Sequence, residues 1–193
     1  MRVTVLGGNA AGPAPGIGCS GYLVQDGETA LVLDLGPGTL PELLKHVDEN
    51  AISGIILSHM HQDHWLDIIP FRYRLKYAPM PPSKPIPLHV PPDARVMLDA
   101  VARALEPGQD VSDFYDVFAL SEYDPQRELS IGSLQVRLAP SIHSMPCWMM
   151  RVKHPNGDLG YTSDTGPNPA APAFLRGVRC LLVEATQLQP GGS

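Results

Sequence analysis

The sequence predicts an α/β (α+β) fold in which sheets are covered by helices, and three observations lead there. Strand-like and helix-like segments interleave through both halves of the chain. The run Ser53-Gly54-Ile55-Ile56-Leu57-Ser58 is continuously apolar, as in a strand buried on both faces. The Asp26-Gly27 pair separates two apolar runs, Tyr22 to Gln25 and Ala30 to Asp34, and reads as a hairpin.

Taken in order, Val3 to Leu6 is a short apolar strand, and Gly7 to Gly21 is a Gly/Pro/Ala loop without a period, long enough to be functional or disordered. After the hairpin, Gly36-Pro37-Gly38 ends the strand. Thr39 is placed to cap a helix from Pro41 to Val47, with proline at its start. Trp65, Ile68, Ile69 and Leu75 recur at helical spacing over Trp65 to Tyr77, with Pro70 disturbing the first turns. Ala78 to Pro87 is a proline-rich connector, Leu88-His89-Val90 a short strand, and Asp93 the cap of a helix over Ala94 to Leu105 that stops at Pro107-Gly108. The remaining strands are Val117 to Leu120, Leu129 to Ile131, Gln135 to Ala139, Trp148 to Val152, Leu159 to Tyr161 and Cys180 to Glu184. A short helix over Pro172 to Arg176 precedes the last of these.

The 193 residues suit one or two structural units and can bury a core. A net charge of -6 with no basic run offers a long polyanion no general docking surface. Cys19, Cys147 and Cys180 are an odd, widely spaced set, which reads as reduced thiols rather than a disulfide framework. With no signal-peptide pattern and no apolar stretch of about 18 residues, the expected location is cytoplasmic, without a membrane partner.

The chemistry concentrates at His59-Met60-His61-Gln62-Asp63-His64, just past the end of an apolar strand, where α/β proteins place their sites. Imidazole and carboxylate suit zinc, iron or manganese. His59 and His61 alternate and can share one side of an extended segment, while Asp63 and His64 lie round the turn. A surface histidine tract that binds nothing is the bland alternative. Against it, His143 and Asp164 each follow a strand-like run elsewhere in the chain. Two metals about 3.5–4 Å apart would use the whole 59–64 cluster and suit hydrolysis.

With these segments in view, the chain resembles the metallo-β-lactamase fold superfamily, whose motif is His-x-His-x-Asp-His. It is most similar to the ribonuclease Z-like branch of phosphodiesterases and related hydrolases. The matching segments are Cys19 to Val24, Leu33 to Thr39, the motif, His143-Ser144, Tyr161 to Thr165, and Leu182 to Thr186. The resemblance implies a single domain over 1–193 folded as a four-layer αβ/βα sandwich, two mixed sheets face to face with helices outside. It implies one metal on His59, His61 and His143, a second on Asp63 and His64, and Asp164 bridging the two. Asp34 would orient the histidine loop without touching metal. The cofactor would be two Zn2+, with Mn2+ or Fe as alternatives. A metal-activated hydroxide would attack a phosphodiester or related ester, with Asp63 also handling a proton. The partners would be a small-molecule or phosphodiester substrate and a second copy in a homodimer.

Transfer-RNA processing of the ribonuclease Z type ranks second, because no basic arm lies between His143 and Asp164. Lactone or thioester hydrolysis follows, and a non-catalytic metal-binding protein is the rival from another class. The family pattern also continues past the Glu184-Ala185-Thr186 segment and supplies a last histidine to the second metal. None follows His154 here, so the second metal is expected to lack one protein ligand and Leu181 and Val183 to be poorly covered. His154 reads as an exposed turn residue, His46 and His89 as helix-surface and strand residues. Asn9 and Ser144 are expected near the pocket. Cys147 reads as packing, and Met145, Trp148, Met149 and Met150 as core with some lining a substrate wall.

Overall fold

The structure, a computed structural model, describes residues 1–77, 79, 82–183 and 185. Its strands are β1 (Arg2–Asn9), β2 (Gly18–Cys19), β3 (Gly21–Asp26), β4 (Thr29–Leu35), β5 (Gly54–Ile56), β6 (Ile86–Val90), β7 (Phe118–Glu122), β8 (Leu129–Ile131), β9 (Leu134–Pro140), β10 (Trp148–Lys153), β11 (Leu159–Tyr161) and β12 (Cys180–Leu182). Its helices are α1 (Leu40–Leu43), α2 (Ile68–Tyr77), α3 (Ala94–Leu105) and α4 (Ala171–Phe174). Two mixed sheets form, in the orders β2-β1-β3-β4-β5-β6-β7 and β12-β11-β10-β9-β8.

Side-chain alternation assigns each face. Along β4, Leu31 and Leu33 pack with Val136, Leu138, Met150 and Val152 of the second sheet. Ala30 and Val32 instead join Leu43, Phe71 and Leu98 of the helices. Ile56 points between the sheets while Ile55 and Leu57 point to the helices, so the apolar 53–58 run is buried on both faces. This is the four-layer order expected. Among the described residues the fourth layer is thin: Leu175, just past α4, packs close to Gly160 of β11. Leu181 and Val183 are exposed.

The structure corrects several local readings. The long loop at 7–21 is interrupted, because β1 runs on to Asn9 and β2 pairs parallel to it with Gly7 opposite Gly18. A Cβ at Gly7 would lie 2.3 Å from the Cys19 carbonyl oxygen, so the glycines that hide this pairing from a periodicity reading are what let the segments close. Helix α1 is shorter than Pro41 to Val47: past Leu44 the chain tightens into three-residue bonds, Lys45 N to Glu42 O and His46 N to Leu43 O. His46 therefore lies in a turn, paired with Glu42.

Neither expected cap acts as one. The Thr39 hydroxyl donates to Gly36 O, and the Asp67 carboxylate accepts from Leu40 N at 2.8 Å instead. Asp93 sits at φ +67 without a capping bond, and Glu122 accepts from Arg95 N at 3.0 Å. Both substitutes come from elements remote in sequence. His154 is not exposed; its ring lies against Asp26 at 3.3 Å and the terminal ammonium at 3.5 Å. The expected strand end at Glu184 lies outside the described residues. Among them, no helix is long and apolar enough to cross a membrane.

Candidate metal centre

The site forms where β5 delivers the chain to the sheet edge. Leu57 N bonds to His89 O of β6, Trp148 N of β10 bonds to Ser58 O, and the Tyr123 hydroxyl donates to Leu57 O. Both sheets thus hold the two residues before the motif. A three-residue helical turn at Gln62–His64 then reverses the chain, so that Asp63 and His64 face the same space as His59 and His61. Gly36 makes the reversal possible, because a Cβ there would lie 1.8 Å from the Asp63 carbonyl oxygen. His143 arrives after β9. Asp164 arrives after β11, behind Ser163, which sits at φ +50.

All six residues expected at the site come together, in two groups that share Asp164. In one, donor atoms of His59, His61, His143 and Asp164 lie within 4.8 Å of one another; in the other, those of Asp63, His64 and Asp164 do. Asp164 Oδ2 lies 3.7 Å from His59 Nε2 and 3.7 Å from His143 Nε2, whereas Oδ1 lies 3.2 Å from His64 Nε2. Its two oxygens therefore face different groups.

The donor set fits a cation. His61 Nδ1 is 3.1 Å from His59 Nε2 and 2.8 Å from His143 Nε2. Nitrogens around a tetrahedral zinc with bonds of about 2.0–2.1 Å stand about 3.3 Å apart, so the three rings need only a small expansion. Asp63 Oδ2 is steadied by Ala11 N at 2.8 Å, a bond from the glycine-rich loop that places Ala11 at φ +60.

Electrostatics separate the two groups. Burial, then the charge of His64, drives His59 down to about 3, and burial lowers His61 as well, so both are neutral and ready to ligate. His64 goes the other way. Burial opposes its charge, but the Asp34 carboxylate and the bonds to Asp164 and Asp34 outweigh it and push the imidazole up to about 10. Asp164 is desolvated by burial, yet the His64 bond and the surrounding histidines hold it below its ordinary value.

A cation entering the His64 group must therefore displace a proton from Nε2. Metal affinity of that group should rise with pH up to about 10, with close to one proton released per ion at pH 7. Titration calorimetry in buffers of different ionisation enthalpy reads this number, and zero release would contradict it.

Asp34 lies behind the histidines, fully buried, at φ +57. It accepts from Ser58 N (2.7 Å), Ser58 Oγ (2.7 Å), His64 Nδ1 (2.7 Å) and the Tyr161 hydroxyl (2.6 Å). A non-glycine residue held in this conformation by so many partners marks a site that the surrounding structure over-determines. The sequence reading missed Ser58, Tyr161 and Ser163. Ser58 was marked only by its place beside His59, and Tyr161 and Ser163 only by lying in the Tyr161 to Thr165 segment with Asp164. Cys147 packs beneath Asp164, its Sγ 3.3 Å from Ser163 Oγ, and burial pushes its thiol up to about 11. Beside the cluster a cavity of about 340 Å³ is lined by Asn9, Ser20, Tyr22, Asp63, Tyr161 and Asp164. Ser144 is not among its lining residues, and Met149 and Met150 are core.

Residues 29–192 match the family described as Beta-lactamase superfamily domain. The chain belongs to this family. The uncharacterized protein Rv1339 of Mycobacterium tuberculosis is 31% identical over 188 residues, which span 96% of this chain and 68% of that protein. Ribonuclease Z of Methanopyrus kandleri is 26% identical over 179 residues, 90% of this chain and 59% of the relative. The crystal structure of the metallo-β-lactamase fold protein YhfI from Bacillus subtilis superposes with a TM-score of 0.79 at 25% identity, covering 93% of this chain and 68% of YhfI. That likeness agrees with the two-sheet architecture described above.

Proposed function

We propose that this member of the Beta-lactamase superfamily is a metal-dependent hydrolase of phosphodiester or related ester bonds, acting through a dinuclear zinc centre. The observation that carries the proposal is the pair of donor groups joined by the two oxygens of Asp164. His59, His61 and His143 would hold one ion, Asp63 and His64 the second, and Asp164 would touch both. Imidazole and carboxylate donors favour zinc, with manganese or iron as alternatives. Divalent ions held there would supply Lewis acidity, making water acidic enough to serve as a nucleophile near neutral pH.

The protein's own residues do the rest. Neutral His59 and His61 present bare nitrogens without competing protons. Asp63, held at one oxygen by Ala11 N, would also take the proton of the attacking water. The cavity offers the hydroxyls of Ser20 and Tyr22 and the amide of Asn9 to the oxygens of a phosphodiester, and it is a modest space, suited to a small or single-stranded substrate. The relatives named metallo-hydrolase and ribonuclease Z support hydrolysis. Processing of tRNA stays the second reading, because β10 and β11 are joined by a tight turn at 154–158 rather than a basic arm and the net charge is -6.

The test is turnover of bis-p-nitrophenyl phosphate with zinc or manganese, abolished by a chelator and restored by metal. Turnover that survives complete removal of metal would refute the proposal. His143→Ala should lower bound metal as far as His61→Ala does, since both complete the same group from distant parts of the chain. Unchanged metal content in purified His143→Ala, measured by mass spectrometry of the eluted ions, would remove His143 from the site.

A further inference from the structure

We infer that Ser58, backed by Ser163, is a positioning residue that extends the hold of Asp34 from one metal group to the other; the inference rests on the dinuclear reading above. Asp34 reaches the second group directly, through His64 Nδ1. Among the described residues, its hydrogen bonds include none to His59, His61 or His143. Ser58 closes that gap.

The argument is one of hydrogen accounting. Ser58 Oγ has one hydrogen and lies 2.7 Å from Asp34 Oδ2, 3.0 Å from His59 Nδ1 and 2.7 Å from Ser163 Oγ. A carboxylate can only accept, and a charge-assisted bond at this length is the strongest of the three. The hydrogen of Ser58 therefore goes to Asp34. Ser58 Oγ is left as an acceptor, taking the hydroxyl of Ser163 and the N–H of His59. His59 then carries its hydrogen on Nδ1, and its Nε2 is bare and faces His61 Nδ1 at 3.1 Å.

Ser163 serves the same end. It is buried, it sits at φ +50, and its Oγ lies 3.4 Å from His59 Nδ1 while donating to Ser58. The residue before Asp164 thereby touches the residue before His59. One carboxylate orients the ligands of both groups, and two serines set the tautomer of the most deeply buried histidine.

The test uses histidine labelled with 15N in the full chain, first without metal. Long-range proton–nitrogen spectra should show His59 as the Nδ1–H tautomer in the native protein. They should show a tautomer mixture in Ser58→Ala and the native pattern again in Ser58→Thr, which restores the hydroxyl. Chelator competition should then show the tightest zinc held about 10–100-fold more weakly in Ser58→Ala, the usual effect of removing an outer hydrogen-bond partner, and held near-normally in Ser58→Thr. An Nε2–H tautomer in the native protein, or a Ser58→Ala variant with native tautomer and native zinc affinity, would overturn the inference. Native protein that shows the Nδ1–H tautomer but binds no zinc would refute the dinuclear reading and leave the serine relay standing.

Discussion

Asp164→Asn should lower turnover by about 10³-fold while the protein stays folded. Metals at such sites stabilise developing charge by several kcal/mol, and about 4 kcal/mol corresponds to about three decades in rate. Among the described residues Asp164 is the one common to both groups, with Oδ2 toward His59 and His143 and Oδ1 toward His64. The amide preserves size but loses the charge and replaces one oxygen with a donor that faces imidazole nitrogens. Single histidine variants each disturb one group and should cost less. Steady-state kinetics on bis-p-nitrophenyl phosphate with parallel metal counting gives the answer. An Asp164→Asn variant with near-normal turnover and normal metal content would mean that the two groups do not act together.

Asp34→Ala should be the most destabilising single change near the site, by about 3–5 kcal/mol, because it strands buried donors, one of them the cationic His64. The side chain is inaccessible and accepts four hydrogen bonds, and alanine is also poorly suited to φ +57. At about 2–4 °C per kcal/mol for a chain of this size, the midpoint of thermal unfolding should fall by about 10 °C. Asp34→Asn tolerates the backbone angle and keeps an acceptor, so it should lose clearly less. Denaturant melts of the two variants side by side decide this, and an Asp34→Ala protein within about 1 kcal/mol of the native one would contradict the account.

The pH dependence of the same region follows from His64. Its charged form is stabilised in the folded, ion-free protein, so its contribution is fully present below the ordinary histidine value and is lost as pH rises through about 10.

The parts of this molecule that were legible in the sequence are those where one physical signal dominates. Strand β5 is apolar without interruption because helices cover one face and the second sheet the other. The β3–β4 hairpin announces itself through Gly27, which takes φ +56 in the turn. The ligand-type residues at 59–64 crowd into six positions, and His143 and Asp164 stand at strand ends, so the membership of the cluster could be listed before its geometry was known.

What was illegible depends on contacts between distant segments. The pairing of β2 with β1 is made by glycines, which carry no hydrophobic period. The caps of α1 and α3 come from Asp67 and Glu122, while Thr39 and Asp93, next to the helices in sequence, do other things. The serines that steady His59 carry no signal beyond their place in the chain, since serine is common in loops and only the fold brings residues 58 and 163 within 2.7 Å.

The central claim is that two groups of donors share Asp164 and bind two ions, the four-donor group more tightly than the three-donor group. Anomalous diffraction at the zinc edge from crystals grown with zinc tests it most directly. The account predicts two peaks, a stronger one about 2 Å from nitrogens of His59, His61 and His143 and a weaker one beside Asp63 and His64, with an Asp164 oxygen reaching each. A single peak with Asp164 turned away, or zinc bound only elsewhere on the protein, would contradict it.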